Sequence, residues 1–188
     1  DSSLEGSAAL RSALKLKNKE IEILHQISRT ISEDLNLKDL LNEIIDMLTH
    51  VTRCDSCLLY LLDHNNEELV LRASKNPHPK IIGRIKVKLG EGITGWVGRE
   101  RRPVVIQKNA NNDPRFKLFY NLPEDRYQAF LSVPVISKDE VIGVVNIQHR
   151  HPHRHSGSER ILVATIANQV GGAIENARLY EETKRKTI

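Results

Sequence analysis

The apolar pattern of this chain changes period twice, and that change limits its possible folds more than any other feature. From about residue 8 to 35, apolar side chains recur in steps of four and three through Leu10, Leu14, Ile21, Leu24, Ile31 and Leu35, with Lys17 and Ser28 filling two positions of the same seam. That is the heptad spacing of a coiled coil, and equally the stripe of an amphipathic helix lying on its own domain. A second helix, roughly Leu37 to Val51, places Leu40, Leu41, Ile44, Ile45 and Leu48 on one face, with Asn36 as the break between the two. Between Cys54 and Gln148 the pattern is that of strands. Ser156 and Glu159 then form a Ser-x-x-Glu capping pattern ahead of a long helical run, in which Ile166, Val170, Ala173, Ala177 and Tyr180 again step by four and three.

Within the middle part, "CDSCLLYLLD" reads as a buried strand, "HNNE" as a turn and "ELVLRAS" as the antiparallel partner. "PHPKIIG" is a loop, "RIKVKL" a third strand with charge on one face, and "VVIQ" a short fourth. "AFLSVPVISKDEVIGVVNIQ" supplies two more strands around the turn "SKDE", with Pro134 at an edge or bulge position. "HRHPHRH" is a connector. The class implied is α+β, an antiparallel sheet backed by helices from both ends of the chain.

The stretch "LGEGITGWVG" holds Gly90, Gly92 and Gly95 in the spacing G-x-G-x-x-G of a dinucleotide-binding loop. Its context does not fit. The preceding strand alternates charged and apolar residues where such a loop follows a continuous apolar strand. The following helix can continue only to about Arg102, ahead of Pro103.

Composition excludes further classes. A chain of 188 residues with 39% hydrophobic content supplies a core for one domain. The 28 Lys and Arg are interspersed with 24 Asp and Glu, and aromatics make only 4%, which argues against nucleic acid as a partner. No run reaches the roughly 20 apolar residues of a membrane span, and the N-terminus lacks the apolar core of a secretory signal. The expectation is a cytoplasmic protein with no membrane contact. Cys54 and Cys57, the only cysteines, exclude a disulfide framework.

The segments "CLLYLLDHNNEELVLRAS", "LGEGITGWVGRERRPVVI", "AFLSVPVISKDEVIGVVNIQ" and "HSGSERILVATIANQVGGAIENARLYEE", in this order, resemble a GAF domain, the small-ligand sensor module of signalling proteins. Within the superfamily the chain is similar to bacterial input domains of sensor histidine kinases, nitrogen-regulation phosphotransferase proteins and transcriptional activators; "FKLFYNLPEDRYQAFLSVPV" resembles the phosphotransferase type. The resemblance implies a central six-stranded antiparallel sheet, with N- and C-terminal helices packed on one face and short helices and loops over the other. It divides the chain into a signalling helix at 1–35, the GAF domain at 36–182 and the start of a linker at 183–188, leading to an output domain outside the sequence. It also explains the glycines, which let the chain turn from strand into a short helix close to the sheet. Trp96 would be the apolar plug of that helix.

The implied function is sensory: a small molecule binds, and occupancy is relayed through dimeric terminal helices to the output domain. The candidate lining of the pocket is Thr94, Trp96, Arg115, Phe116, Tyr120, Tyr127 and Phe130, with Arg115 suited to an anionic group and the aromatics to a planar one. The other reading of these aromatics is lid packing. Two alternatives accompany this function, a ligand-free dimerisation and docking module, and an enzyme resembling free methionine sulfoxide reductase.

The ligand is left unnamed, but several cofactors of the superfamily lack their residues here. No cysteine follows Cys57 for covalent bilin, and no histidine lies between Leu89 and Val145 for heme. "NANNDPRF" offers Asn109, Asp113 and Phe116 without the order of the cyclic-nucleotide signature. The reductase works through pocket cysteines, and the chain from 58 to 188 has none. We therefore assign no catalytic residues.

Cys54 and Cys57 have the C-x-x-C spacing of a redox pair or half a zinc site. With Cys57 entering a strand, residues three apart are expected on opposite faces, as two inert buried thiols. His149, His151, His153 and His155 alternate in "HRHPHRH", where Pro152 interrupts and Arg150 and Arg154 oppose a cation. The expectation is a solvated connector, and no metal ligand is assigned. A zinc site drawing on both clusters would need them to meet in the fold. The isolated histidines at 25, 50, 64 and 78 are read as surface residues.

Overall fold

The computed structural model describes residues 2–76, 79–117 and 126–186. Two helices open the chain, α1 (Ser2–Ser32) and α2 (Leu37–Thr52), followed by a hairpin of β1 (Ser56–Asp63) and β2 (Glu68–Ser74). Then come β3 (Lys86–Lys88), the short α3 (Gly92–Glu100), β4 (Val104–Ile106), a 3-10 turn (Ala110–Asn112), a second hairpin of β5 (Ala129–Ser137) and β6 (Glu140–His149), and the long α4 (Gly157–Lys186). The strands form one antiparallel six-stranded sheet in the order β3-β2-β1-β6-β5-β4.

Side chains divide by strand alternation into two cores. On the helix side, Leu59 and Leu61 of β1, Leu131 and Val135 of β5 and Val145 and Ile147 of β6 meet Ile44 and Leu48 of α2 and Val163, Ile166 and Val170 of α4. On the opposite side, Leu58 and Tyr60 join Leu69, Leu71, Val87, Val97, Phe130 and Val144. With both faces covered, β1 and β6 read as continuous apolar runs, whereas β3, at the sheet edge, keeps its lysines exposed around Val87.

Asn36 caps α2, its Oδ1 accepting from the Asp39 amide at 2.9 Å, and Arg53 ends that helix in the left-handed region at φ 51°. Helix α1 runs from Ser2 and stops at Ser32, because Asp34 (φ 52°) turns the chain before the seam reaches Leu35. β4 begins opposite Ser132 and pairs back to Phe130, so Pro134 sits on a stretch of β5 with β6 as its neighbour, and a register irregularity follows between Val135 and Ile136. His25, His50 and His64 are exposed; His78 lies outside the described residues.

The terminal seams part company. In α1 the residues buried against α2 and α4 are Ile23, Ile27 and Thr30, while the heptad positions Leu10, Leu14, Ile21, Leu24 and Ile31 point outward, between 40% and 63% exposed. In α4 the seam is the domain's own core stripe: Ile166 and Val170 are buried, and only Tyr180 stands out, 71% exposed. Val163, Ile166 and Val170 pack α4 on the sheet and α2, in line with the expected C-terminal helix on one face. Among the described residues no helix is long and apolar enough to cross a membrane.

Candidate functional site

The glycine stretch sets α3 on the sheet. Gly92 has φ +66°, and a Cβ on Gly95 would come within 2.3 Å of the Lys88 carbonyl oxygen, so the first turn of α3 lies directly against the backbone leaving β3. Ile93, Thr94 and Val97 face the sheet and are buried. Trp96 packs half-buried against the core on this side of the sheet, with the Arg115 guanidinium 4.7 Å and that of Arg102 5.4 Å from its ring centroid.

Beneath α3 a row of buried polar side chains crosses an otherwise apolar face. Ser132 and Asn146 are directly opposite in the β5–β6 register; Ser132 Oγ donates to Asn146 Oδ1 at 2.7 Å, and Asn146 Nδ2 donates to Thr94 Oγ1 at 2.7 Å. Ser56 and Gln148 form the adjacent opposed pair across β1 and β6, both buried. Of this row, sequence reading singled out only Thr94. Its signal was available as the polar positions inside "AFLSVPV" and "GVVNIQ", which apolar strands rarely carry without a partner.

The other candidate residues separate. Phe130 is buried in the core beneath α3, and Phe116 packs half-buried against it. Arg115 is already engaged: Nε and Nη2 donate to the two carboxylate oxygens of Asp113 at 2.9 and 2.8 Å, and its amide donates to Oδ1 at 2.8 Å. Those hydrogen bonds hold the Asp113 carboxyl below its usual range. The Nη1 side of the guanidinium takes no part in these bonds, so an anion there would join a cation already paired to Asp113. Tyr127 is buried elsewhere, its hydroxyl accepting from Arg150 Nε at 3.3 Å at the end of β6. Tyr120 lies outside the described residues.

Both cysteines are buried on the helix side of the sheet. They do not point to opposite faces as expected, because β1 begins at Ser56 and Cys54 precedes it, outside the strand alternation. Lys75 Nζ donates to the Cys54 carbonyl at 2.6 Å. The hydrogen bond from Cys57 lowers the Cys54 thiol to about 6, and the same contact, with burial, pushes Cys57 upward.

The histidine connector is also not what the sequence suggests. Arg150, His151 and Arg154 are exposed as expected, but His149 and His155 are buried, and with half-buried His153 they bring three imidazoles together. Neither cysteine is part of that group.

A family model described as GAF domain matches residues 34–175. A phosphoenolpyruvate-dependent phosphotransferase system protein of Escherichia coli (strain K12) is 27% identical over 88% of this chain and 23% of its own length. The Nif-specific regulatory protein of Azospirillum brasilense is 25% identical over 89% of this chain and 28% of its own. The chain thus spans about a quarter of these curated relatives. Among solved structures, the GAF domain of a phosphoenolpyruvate-protein phosphotransferase from Coxiella burnetii superposes with a TM-score of 0.78 at 29% identity, covering 87% of this chain and 96% of that one. A free methionine-R-sulfoxide reductase from Neisseria meningitidis shares the fold, with a TM-score of 0.70 at 19% identity over 86% of this chain and 91% of that one.

Proposed function

The chain belongs to the GAF domain family, and from that premise we propose that it is the cytoplasmic input domain of a bacterial signal-transduction protein. It binds a small molecule between the sheet and α3, and as a homodimer relays occupancy through α1 and α4 to a covalently linked output domain. Similarity to segments of a phosphotransferase-system protein and of Nif-specific regulators supports the regulatory role.

The observation that carries the ligand reading is the row Ser132–Asn146–Thr94, a chain of polar groups kept in the middle of an apolar face directly under a short helix. Such a set fixes the orientation of a ligand whose bulk is held by apolar walls. Because one end of the row is on α3, a ligand that competes for Thr94 or Asn146 shifts α3 against the sheet, a bias that a two-state helical layer can carry onward. The exposed heptad positions of α1 and the open groove between the end of α1 and α4, lined by Ile31, Leu35, Ala177 and Tyr180, support the dimeric relay.

The second reading is a ligand-free docking module, favoured by the Asp113–Arg115 pair, which already neutralises the cation expected to meet a ligand. The cysteine enzyme is opposed by the thiols, which lie across the sheet from α3. Native mass spectrometry of the purified protein against its denatured mass tests these readings together. The expected result is a dimer with a non-covalent added mass that Asn146→Leu loses. A clean dimer with no added mass, unaltered by cell extract, would overturn the ligand reading in favour of the docking module.

A further inference from the structure

The imidazoles at the start of α4 are not used by anything proposed above. We propose that His149, His153 and His155 bind one divalent transition-metal ion, with zinc the best match, and that the Glu159 carboxylate closes the site.

The three residues come from the last position of β6 and from the connector to α4, yet their ligand atoms all lie within 4.8 Å of one another. Around a tetrahedral zinc with bonds of about 2.0–2.1 Å, neighbouring donors stand about 3.3 Å apart, so the donor atoms lie near that spacing while the rings must turn for their lone pairs to converge on the ion. The rings of His149 and His153 are stacked at 3.7 Å with 8° between planes, and His155 meets both edge-on.

His155 is the second, independent observation. Its side chain has no solvent exposure, and neither ring nitrogen has a hydrogen-bond partner; Nδ1 is 3.8 Å from the nearest Glu159 oxygen. A neutral imidazole carries one N–H and one lone pair, and burying both unsatisfied is unfavourable unless something else occupies the space between the rings. His149 repeats the pattern with Nδ1 buried and unpartnered, while its Nε2 lies 3.4 Å from the Thr52 carbonyl oxygen. A carbonyl on one ring nitrogen leaves the lone pair on the other, which is how metal-binding histidines are oriented.

Glu159 supplies the negative charge. Ser156 caps α4 by accepting from the Glu159 amide at 3.1 Å, but the Glu159 side chain turns to His153 Nε2, at 3.0 and 3.2 Å. The arginines that counted against a cation in the sequence stand aside: Arg150 reaches over Tyr127, and Arg154 is exposed. Three imidazoles and a carboxylate suit zinc, cobalt or nickel, and do not suit calcium or magnesium, which take oxygen donors. The ion would tie the end of β6 to the first turn of α4, with α2 joined through Thr52, independently of any ligand under α3.

The test uses the tag-free 188-residue chain, stripped with chelator and dialysed against zinc, with bound metal measured by elemental analysis. One zinc per chain is expected, and cobalt in its place should give the visible bands of a four-coordinate ion. His153→Asn is the chosen variant because that side chain is 32% exposed and its loss leaves the core intact; it and Glu159→Gln, each the loss of a ligand, should lose more affinity than the roughly 10–100-fold that outer-shell partners contribute. His151→Ala, in the same tract but outside the group, should bind as the parent does. Unchanged binding in His153→Asn overturns the site, as does equal loss in His151→Ala, which would mean a flexible surface chelate.

Discussion

Asn146 in the middle of β6 donates a 2.7 Å hydrogen bond to the Thr94 hydroxyl in α3, joining two residues 52 positions apart. The contact links the centre of the sheet to the short helix above it, and a third member, Ser132, steadies the amide from the neighbouring strand. We expect Asn146→Leu to cost about 2 kcal/mol, because two buried hydroxyls lose their partner at once, and Thr94→Val about 1 kcal/mol. In urea unfolding the double variant should lose less than the sum of the two. Strict additivity would show that the residues do not act as a chain.

Two glycine substitutions should have opposite signs. In Gly95→Ala the new methyl meets the Lys88 carbonyl oxygen at 2.3 Å, a backbone atom that cannot swing away, and a loss of more than about 2 kcal/mol is expected. Gly172, exposed in the interior of α4, has nothing within 4 Å of an added Cβ, so Gly172→Ala should stabilise by about 0.5–1 kcal/mol through helix propensity. Thermal unfolding of the pair checks both.

The thiol pair predicts a pH dependence. Cys54 is held as thiolate chiefly by the hydrogen bond from Cys57, with its pKa lowered from 9.0 to about 6 in the folded state. A depressed acid stabilises the fold above its unfolded value and loses that contribution as pH falls through the folded one. Stability should therefore decline between about pH 9 and pH 6, and Cys54→Ala should abolish this part of the decline. Thiolate absorbance should show one group titrating near 6, moved upward by Cys57→Ala. A single titration near 9 in the parent would refute the assignment.

The outward stripe of α1 predicts the dimer contact. Ile21→Glu with Leu24→Glu replaces exposed apolar groups, so the fold should keep its stability while light scattering shows monomer. Removal of residues 1–35 should also give monomer, at a cost in stability because the buried Ile23, Ile27 and Thr30 leave the core. A dimer that persists in both proteins would place the contact elsewhere.

Local sequence reading located the elements well where a residue acts on its own backbone. Asn36 broke the first helical run, Ser156 and Glu159 marked the start of α4, and the hairpin turns fell at residues 64–67 and at Lys138 and Asp139, which take positive φ. The two cores followed from period, since Leu59 and Leu58 must face opposite ways in a strand. The site was legible only in part. Thr94, Phe116 and Phe130 do come together under or beside α3, but Tyr127 was grouped with them by nearness in sequence, and the fold sends it to Arg150. Asn146 and Ser132 were passed over as strand residues because nothing in a linear pattern says that two polar positions in different strands are in register.

The sequence by itself determined the order of helices and strands, the family and the division of apolar groups between faces, because each depends on spacings of two to four residues along one element. Tertiary structure alone decided which stripe of α1 is buried, that Arg115 is bound to Asp113, that Cys54 and Cys57 share a face, and that three histidines of an apparently solvated tract converge. The cysteine and histidine outcomes depend on where β1 begins and how β6 is handed to α4. A one-residue difference at such a junction reverses the direction of a side chain, so they are fixed by packing between elements and not by any property of the residues taken in order.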